Sequence, residues 1–260
     1  MSLTAGIVVT GPGPVPTRST MLRRLPAHVK LVAAITFLLL VVSTPATVGP
    51  AWVVYAAAVT VLAWGAGLTG SAFRRAAMIE LPFLVFALML PLVVPGERVE
   101  VLGLSLSAAG LIGAWNLLAK ATVGVLVSFS LAATTPPRDL LLGLQRLHMP
   151  ALLVQIMAFM VRYLDVVGDE LRRMHIARLS RGFTAHDVRQ WGVLARSAGA
   201  MFIRSYERGE RVHLAMLSRG HTGQLPLLDA RPASAGEWLV AAVLPITGAV
   251  VCTAAWAFGG

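Results

Sequence analysis

Residues 237–258 read Glu-Trp-Leu-Val-Ala-Ala-Val-Leu-Pro-Ile-Thr-Gly-Ala-Val-Val-Cys-Thr-Ala-Ala-Trp-Ala-Phe, and only the first of them is charged. About 20 mostly apolar residues in a helix are enough to cross the hydrocarbon core of a bilayer. Four further apolar stretches precede this one, at residues 29–44, 50–69, 76–95 and 107–133. The sequence therefore predicts an all-α, polytopic membrane protein with about five transmembrane helices.

The composition of the 260-residue chain supports a membrane protein. Apolar residues make up 57% of the chain and charged residues 13%, whereas soluble domains average about 45–50% and about 25%. A folded soluble chain cannot hide that much apolar surface, because its surface area does not shrink fast enough with size. The composition therefore excludes a soluble enzyme and a disordered chain.

The charges are unevenly distributed along the chain. The formal net charge is +10, which in a soluble protein would favour a nucleic-acid partner. In a membrane protein the cytoplasmic loops carry the excess of Lys and Arg, and we therefore expect no nucleic-acid partner. Basic residues lie in the N-terminal tail, at Arg74 and Arg75 and throughout residues 136–231, whereas residues 97–100 are net negative. This pattern predicts a cytoplasmic N-terminus, a cytoplasmic 136–231 segment and an external C-terminus.

These spans and loops divide the chain into four regions. A cleaved signal peptide also combines basic residues with an apolar run such as Leu31–Val42, but the later spans favour a first transmembrane helix. The predicted regions are a flexible cytoplasmic tail (1–28), transmembrane helices 1–4 (29–135), a cytoplasmic coupling-helix region (136–231) and the last transmembrane helix (232–260).

The cytoplasmic region contains three predicted helices. Leucines at helical spacing predict the first over residues 138–148, and Pro150, a residue type suited to a first turn, begins the second. The third begins at Thr184–Asp187, which resembles a capping box with Asp in place of Glu. The two long helices are amphipathic. Gly182 and Gly220 are predicted to end them, because glycine readily adopts the left-handed conformation that closes a helix.

The two long helices end in nearly the same sequence. Residues 176–183 read Ile-Ala-Arg-Leu-Ser-Arg-Gly-Phe and residues 214–221 read Leu-Ala-Met-Leu-Ser-Arg-Gly-His, so that five of eight positions are identical. One such end is explained by a helix C-cap, where the helix dipole favours Arg. Two copies favour a pair of docking ends for a symmetric or pseudo-symmetric partner. Arg grips carboxylates through two parallel hydrogen bonds, and Gly lets another backbone approach closely.

The repeated ends resemble a family signature. Paired Ala-Arg-Gly motifs, each ending a long cytoplasmic helix, are typical of the T component of energy-coupling factor (ECF) transporters. This chain has Ser-Arg-Gly at residues 180–182 and 218–220, and Ser is as small as Ala. Further stretches resemble the CbiQ-like cobalt branch, and the resemblance covers residues 29–223. These stretches are Val29–Ala34, Ser43–Pro45, Thr134–Pro137, Asp139–Leu141, Met149–Val154, Arg162–Leu164, Glu170–Met174 and Arg204–Val212.

The resemblance implies a scaffold. A T component of the bacterial plasma membrane links a substrate-binding membrane subunit to two ABC-type ATPases. Its cytoplasmic helices act as coupling helices, and its Arg-Gly ends lie in grooves of the ATPases. The resemblance also implies that cobalt is transported; nickel, a vitamin, or a transporter outside the ECF class are the alternatives, and no cofactor is implied. The expected ATPase-binding residues are Ser180, Arg181, Gly182, Ser218, Arg219 and Gly220, with Arg178 extending the same surface one turn earlier.

The sequence lacks the motifs of enzymes and of metal sites. A phosphate loop requires Gly-Lys-Ser/Thr, but the only lysines, Lys30 and Lys120, follow Val and Ala, so ATP hydrolysis is expected in partner subunits. The six histidines form no pair spaced i, i+4 and Cys252 is the single cysteine, so we expect neither a metal site nor an internal disulfide. The lack of clustered Asp disfavours a membrane enzyme, and the short cytoplasmic repeat disfavours a secondary transporter.

Glu80, Asn116 and Lys120 are polar residues within predicted spans. Glu80 lies near the cytoplasmic start of its span, where the interface and a neighbouring Arg74 or Arg75 would accommodate it. Lys120 and Asn116 share one helical face, which must contact protein or water. A contact with the substrate-binding subunit and a buried Glu80–Lys120 pair are both open. Two solvated ion pairs are also predicted from i, i+4 spacing: Glu207–Arg211 and Asp169–Arg173.

Overall fold

A computed structural model describes residues 21–45, 49–68, 70–101, 104–183, 191–221 and 233–259. The predicted capping box at 184–187 and the first 20 residues of the predicted tail lie outside these ranges. The described helices are α1 (Met21–Arg24), α2 (Ala27–Ser43), α3 (Gly49–Gly65), α4 (Gly70–Val93), α5 (Ala108–Thr134), α6 (Pro137–Arg146), α7 (Ala151–Leu179), α8 (Trp191–Leu217) and α9 (Ala235–Gly259). Strands β1 (Arg98–Val101) and β2 (Leu104–Ser107) pair antiparallel between α4 and α5.

The described elements form two compact units. Helices α1–α6, the hairpin and α9 make up the first, called here the apolar unit, and α7 and α8 make up the second, the α7–α8 unit. Helix α6, which the sequence grouped with the coupling helices, packs on α2. A methyl group on Gly143 of α6 would lie only 2.9 Å from the amide nitrogen of His28.

The five predicted spans correspond to α2, α3, α4, α5 and α9. Among the described helices, α4, α5, α7 and α9 are long and apolar enough to cross a bilayer. Helices α2 and α3 have 17 residues each, or roughly 25 Å, which is less than the ~30 Å hydrocarbon core. Helix α7 has suitable length and composition although the sequence predicts it to be cytoplasmic. Its charged residues begin at Arg162, so only its first part is apolar.

The structure differs from the sequence-based prediction in two local segments. Residues 21–28, predicted as part of a flexible tail, form α1 and the start of α2. His28 is buried because Trp238 of α9 packs edge-on against its ring, with the ring centroids 6.1 Å apart. The β1–β2 hairpin was not predicted, and it replaces part of an expected external loop. Ser107, its last residue, caps α5 by accepting a hydrogen bond from the Gly110 amide at 3.3 Å.

The core of the apolar unit is built around α2. Phe37 of α2 is fully buried and meets the ring of Tyr55 of α3 edge-on, with the ring centroids 5.8 Å apart. Val127 of α5 and Ala255 of α9 belong to the same buried cluster. One contiguous core therefore joins α2, α3, α5 and α9.

Contacts at both ends of α2 set the directions of its neighbours. Trp238 and Trp256 of α9 lie against His28 and Ser43 respectively, so α9 runs parallel to α2. The end of α3 lies near α1, because a methyl group on Gly65 would lie 3.1 Å from the Leu22 side chain. Helix α5 runs antiparallel to both α2 and α4, because its end lies at the start of α2 and its start packs on the end of α4.

The helix directions agree with the predicted alternation of loops. The starts of α2 and α9, the ends of α3 and α5, and helix α6 gather at one end of the apolar unit. The end of α4 and the hairpin lie at the start of α5, at the other end, and the ends of α2 and α9 point towards that end but lie level with Lys120, near the middle of α5. This arrangement is the one that the charge pattern requires. Which end faces the cytoplasm stays a prediction.

The end of α2 is closed entirely by groups of the protein. The last four carbonyls of a helix have no partner within the helix, and in a bilayer core no water replaces that partner. Each of these four carbonyls nevertheless accepts a hydrogen bond. The donors are Thr44 Oγ1 to Leu40 at 2.9 Å, Thr44 N to Val41 at 3.3 Å, Lys120 Nζ to Val42 at 2.8 Å and Trp256 Nε1 to Ser43 at 3.1 Å.

The two lysines of the chain connect α2 and α5 reciprocally. Lys120 of α5 donates to the end of α2, and Lys30 at the start of α2 donates to the Thr134 carbonyl at 3.1 Å and the Thr135 hydroxyl at 3.3 Å at the end of α5. A cation at a helix C-terminus is also favoured by the helix dipole. The sequence assigned Lys30 no partner, whereas the structure buries it. These two contacts show that α2 and α5 are antiparallel.

We expect Lys120→Met to destabilise the apolar unit. The methionine keeps most of the aliphatic volume but leaves the Val42 carbonyl without its donor, and away from water an unsatisfied backbone carbonyl costs several kcal/mol. The midpoint of thermal unfolding in detergent micelles measures the effect. Arg75→Met, which removes an exposed cation, is the control and should leave the midpoint nearly unchanged. Equal midpoints for the two variants would contradict the role assigned to Lys120.

We also expect Gly110→Ala to destabilise the packing of α4 on α5. A methyl group on Gly110 would lie 2.6 Å from the Leu90 carbonyl oxygen, whereas one on Gly124, in the same helix, meets nothing within 4 Å. Overpacking of this kind costs about 1–3 kcal/mol, while Gly124→Ala gains up to about 1 kcal/mol in helix propensity. The two variants should shift the unfolding midpoint in opposite directions. A shift of the same sign and size in both would show that α4 and α5 are not in close contact.

Candidate functional site

Few residues of the α7–α8 unit are buried. Helix α8 has no buried residue, and in α7 only Val154 and Glu170 are buried. Large apolar side chains are exposed along both helices, among them Leu164 at 64%, Phe202 at 71% and Trp191 at 71%. An apolar surface of this kind normally marks an interaction site.

The two helix ends close in the same way. Gly182 and Gly220 have φ of +72° and +80°, which confirms the predicted left-handed glycines. At the first end, the amides of Gly182 and Phe183 donate to the carbonyls of Leu179 and Arg178 at 3.0 and 3.1 Å. This is the Schellman pattern, which satisfies the orphan carbonyls of a helix end.

The second end repeats the first bond for bond. The amides of Gly220 and His221 donate to the carbonyls of Leu217 and Met216, both at 3.0 Å. The motif serines also match, because Ser180 Oγ donates to the Ala177 carbonyl and Ser218 Oγ to the Ala215 carbonyl, each at 3.0 Å. The backbone of both ends is therefore satisfied internally, and the side chains are left available.

The arginines of the two ends are exposed. Neither Arg181 nor Arg219 forms an ion pair or a side-chain hydrogen bond with any residue that the structure describes. The apolar residues beside them match as well, with Leu179 and Leu217 exposed by 52% and 49%. Each end thus presents a guanidinium group, a glycine and an exposed leucine to a partner.

Glu170 connects α7 to α8. Its carboxylate accepts from Arg204 Nη1 at 3.2 Å and from Arg208 Nη2 at 3.1 Å, and Glu170 is buried. In the sequence, Glu170 belongs to a family-like stretch but no role is predicted for it. The i, i+4 spacing of Arg204 and Arg208 on α8 was the sequence feature that could have predicted a carboxylate partner for both.

A second contact shows that α7 and α8 are antiparallel. Gln155, near the start of α7, lies 3.2 Å from Nε2 of His221, which follows α8. Gln155 contacts His221, whereas Glu170, 15 residues later in α7, contacts Arg204 and Arg208, which precede His221 in sequence. Arg181 and Arg219 therefore lie at opposite ends of the pair, about 39 Å apart along α7 at about 1.5 Å per residue.

One of the two predicted surface ion pairs is present. Glu207 Oε2 lies 3.9 Å from Arg211 Nη1, and both side chains are exposed. The predicted Asp169–Arg173 pair is wrong, because these two described residues are not within ion-pair distance. Helical spacing makes such a pair geometrically accessible, but exposed side chains gain little from it.

Glu80, Asn116 and Lys120, singled out in the predicted spans, do not form one cluster. Lys120 bonds to the Val42 carbonyl, and Glu80 forms no ion pair with a described residue, so neither the Glu80–Lys120 pair nor a Glu80 pair with Arg74 or Arg75 is present. Asn116 lies one turn before Lys120 on α5, and its Oδ1 is buried without a hydrogen-bond partner.

The apolar unit contains a cavity of about 540 Å³. It is lined mainly by Ala, Val and Leu side chains, and its polar lining consists of Lys30, Ser130, Thr134 and Thr247. Transition metals bind to imidazole, thiolate and carboxylate groups, which this lining does not offer. Within the described ranges, no three His, Cys, Asp or Glu residues are grouped to hold a metal ion.

Comparison with known proteins places these features in a family. The family model described as CbiQ, cobalt transport protein, matches residues 18–227. The chain belongs to the CbiQ family of cobalt transport proteins. The match includes both Ser-Arg-Gly ends, and the family is one of membrane transport rather than of enzymes. The CbiQ resemblance drawn from the motifs is thereby confirmed.

Individual relatives agree with the family match. The chain is 28% identical to the cobalt transport protein CbiQ of Rhodobacter capsulatus over 215 residues, which are 82% of this chain and 85% of that protein. It is 37% identical to the nickel permease LarQ of Lactiplantibacillus plantarum over 35% of this chain and 33% of that protein. It is 28% identical to the energy-coupling factor transporter transmembrane protein EcfT of Bacillus selenitireducens over 54% of this chain and 57% of that protein. The chain thus spans about a third and just over half the length of the last two relatives.

We expect Glu170→Gln to loosen the α7–α8 contact of this CbiQ-family chain. The neutral amide keeps the size of the side chain but removes the charge that both Arg204 and Arg208 face. Amide hydrogen exchange in the middle of α8 should therefore become faster. Glu207→Gln, which removes an exposed carboxylate on α8 itself, is the control and should leave exchange unchanged. Equal exchange in both variants would show that Glu170 does not hold the two helices together.

Proposed function

We propose that this CbiQ-family chain is the T component of an ECF-type importer. In this role it links two ABC-type ATPases to a substrate-binding membrane subunit and couples ATP hydrolysis to uptake of cobalt ion. The observation that carries the proposal is the pair of matched helix ends. Each end has a closed backbone and an exposed arginine, and the two lie about 39 Å apart along α7.

The chemistry of the ends fits protein docking. An arginine stays charged and offers a planar fork of donors that matches a carboxylate. The adjacent glycine has no side chain to obstruct a groove wall. Because the Schellman bonds already satisfy the helix carbonyls, a partner does not have to supply donors for the backbone. An acidic groove on an ATPase is the complement of such an end.

The distance between the ends supports two ATPase sites. One groove cannot hold two ends that lie about 39 Å apart along the same helix. A pair of ATPase subunits, each with its own groove, accommodates both. This argument rests on the antiparallel contacts of Gln155 and Glu170.

The two long helices suit force transmission. Helices α7 and α8 have 29 and 27 residues, and each is about 40 Å long. Their described cross-contacts include few side chains, chiefly the Glu170 bridge. When the ATPases close, the docked ends move toward each other, and α7 and α8 pivot about this bridge. The exposed apolar faces transmit the movement to the substrate-binding subunit that covers them.

Cobalt is the proposed cargo, and in this proposal a partner subunit binds it. The family model and the Rhodobacter capsulatus relative are both described by cobalt transport, and the cavity of the apolar unit lacks metal ligands. Nickel is the second candidate cargo, because the Lactiplantibacillus plantarum relative is a nickel permease. In this proposal the chain lies in the plasma membrane with its N-terminus in the cytoplasm.

Co-purification tests the scaffold. We expect the tagged chain, extracted in mild detergent, to retain the ABC-type ATPases of the same organism, and Arg181→Glu with Arg219→Glu to abolish this. Each lost charge-assisted contact weakens binding by about tenfold or more. Arg173→Glu with Arg211→Glu is the control, since it reverses one exposed arginine on each helix, each of them eight residues before the motif arginine.

The outcomes separate scaffold from cargo. If the wild type and the control retain the ATPases and the end variant does not, the ends are the docking sites. If no ATPase is retained by the wild type, or if the end variant retains it equally, the scaffold proposal fails. Uptake of radioactive cobalt and nickel by cells that express the complete complex then decides between the two ions.

A further inference from the structure

The two helix ends have the same shape but not the same chemistry. Their backbones match bond for bond, and the eight-residue segments differ at three positions: Ile176 against Leu214, Arg178 against Met216 and Phe183 against His221. The first difference exchanges two apolar side chains of equal size. The other two differences change polarity, and they distinguish the two ends.

Arg178 and Met216 occupy the same place in the two ends. Each supplies the carbonyl that accepts the last Schellman bond, from Phe183 at 3.1 Å and from His221 at 3.0 Å. Each side chain is half-buried. Each lies three residues before the motif arginine, and residues three apart are neighbours on one helix face.

The Arg178 guanidinium has no partner within the described chain. Its Nε is shielded from solvent and has no hydrogen-bond partner, and Arg178 forms no ion pair with a described residue. A buried donor without an acceptor is costly, and a guanidinium cannot lose its charge to avoid the cost. This arrangement is the one expected of a cation that is completed by a carboxylate of a partner.

The difference between Phe183 and His221 concerns the protein's own contacts. His221 is hydrogen-bonded to Gln155 of α7, so its Nε2 atom already has a partner within the α7–α8 unit. Phe183 is half-buried and apolar. The difference that a partner meets directly is therefore the one between Arg178 and Met216.

We propose that Arg178 is a specificity-determining residue for the partner ATPase. The first end, with Arg178 and Arg181, binds a groove that offers two carboxylates, whereas the second end, with Met216 and Arg219, offers a single cation. This inference rests on the proposed scaffold function. The two ends are therefore not interchangeable. The affinity of the first end for the ATPase is also more sensitive to salt, because salt screens each additional charge pair.

The test isolates each end in the full-length chain. Arg219→Glu leaves only the first end functional, and Arg181→Glu leaves only the second. ATPase retained by the detergent-extracted chain is measured from low to high salt in both backgrounds. We expect retention by the first end to fall more steeply with salt than retention by the second.

Arg178→Met is then added to the Arg219→Glu chain. We expect about a tenfold loss of retained ATPase at low salt, the effect of one charge-assisted contact, and a salt dependence as shallow as that of the second end. Arg178→Lys should restore part of the binding, since it keeps the charge but not the fork. Arg173→Met, which removes an exposed arginine of the same helix, should change neither quantity.

The other possible results of this experiment distinguish a failure of the inference from a failure of the proposed function. Unchanged retention and unchanged salt dependence in Arg178→Met, with ATPase bound by the parent chain, would overturn this inference alone. If one end binds too weakly to measure, the comparison is made with both ends intact, where Arg178→Met must flatten the salt dependence and Met216→Ala must not. If the wild type itself retains no ATPase, the proposed function fails, and this inference fails with it.

Discussion

The apolar unit depends on one constraint: backbone carbonyls at a helix end need hydrogen-bond donors, and a bilayer core supplies none. Helix α2 is too short to carry both of its ends into the headgroup region. Its last four carbonyls are satisfied by Thr44, by Lys120 of α5 and by Trp256 of α9. Lys30 serves the end of α5 in return. These bonds fix the register and the direction of α2, α5 and α9, and the Phe37–Tyr55 core forms around them.

The α7–α8 unit meets the same constraint locally. Its two helix ends satisfy their carbonyls with their own Schellman bonds, so no neighbouring helix is needed to close them. The side chains of Arg178, Arg181 and Arg219 have no hydrogen-bond or ion-pair partner in the described chain. Glu170 is the exception, because it is buried between Arg204 and Arg208 and holds the helices together. A unit whose helix-end carbonyls are already hydrogen-bonded, and whose arginine side chains have no described partner, is suited to binding other proteins.

Particular residues show why some predictions succeeded and others failed. The glycine ends were predictable because Gly182 and Gly220 adopt a conformation that depends on their own backbone. The Asp169–Arg173 pair was predicted from spacing alone and is absent, since spacing brings two exposed side chains within reach without holding them. Glu170 was missed because its partners lie 34 and 38 residues away on another helix. No partner was predicted for Lys30, because its acceptors, the Thr134 carbonyl and the Thr135 hydroxyl, are distant in sequence.

The sequence by itself determined the class of the protein, the positions of its apolar helices and the repeated Ser-Arg-Gly ends. Those properties follow from composition, from runs of about 20 apolar residues and from local backbone preferences. Only the tertiary structure decided that Lys30 and Lys120 close each other's helices, that α9 runs parallel to α2, and that Arg181 and Arg219 lie at opposite ends of an antiparallel pair. These facts depend on hydrogen bonds and packing between residues far apart in the chain, and no local pattern encodes such contacts.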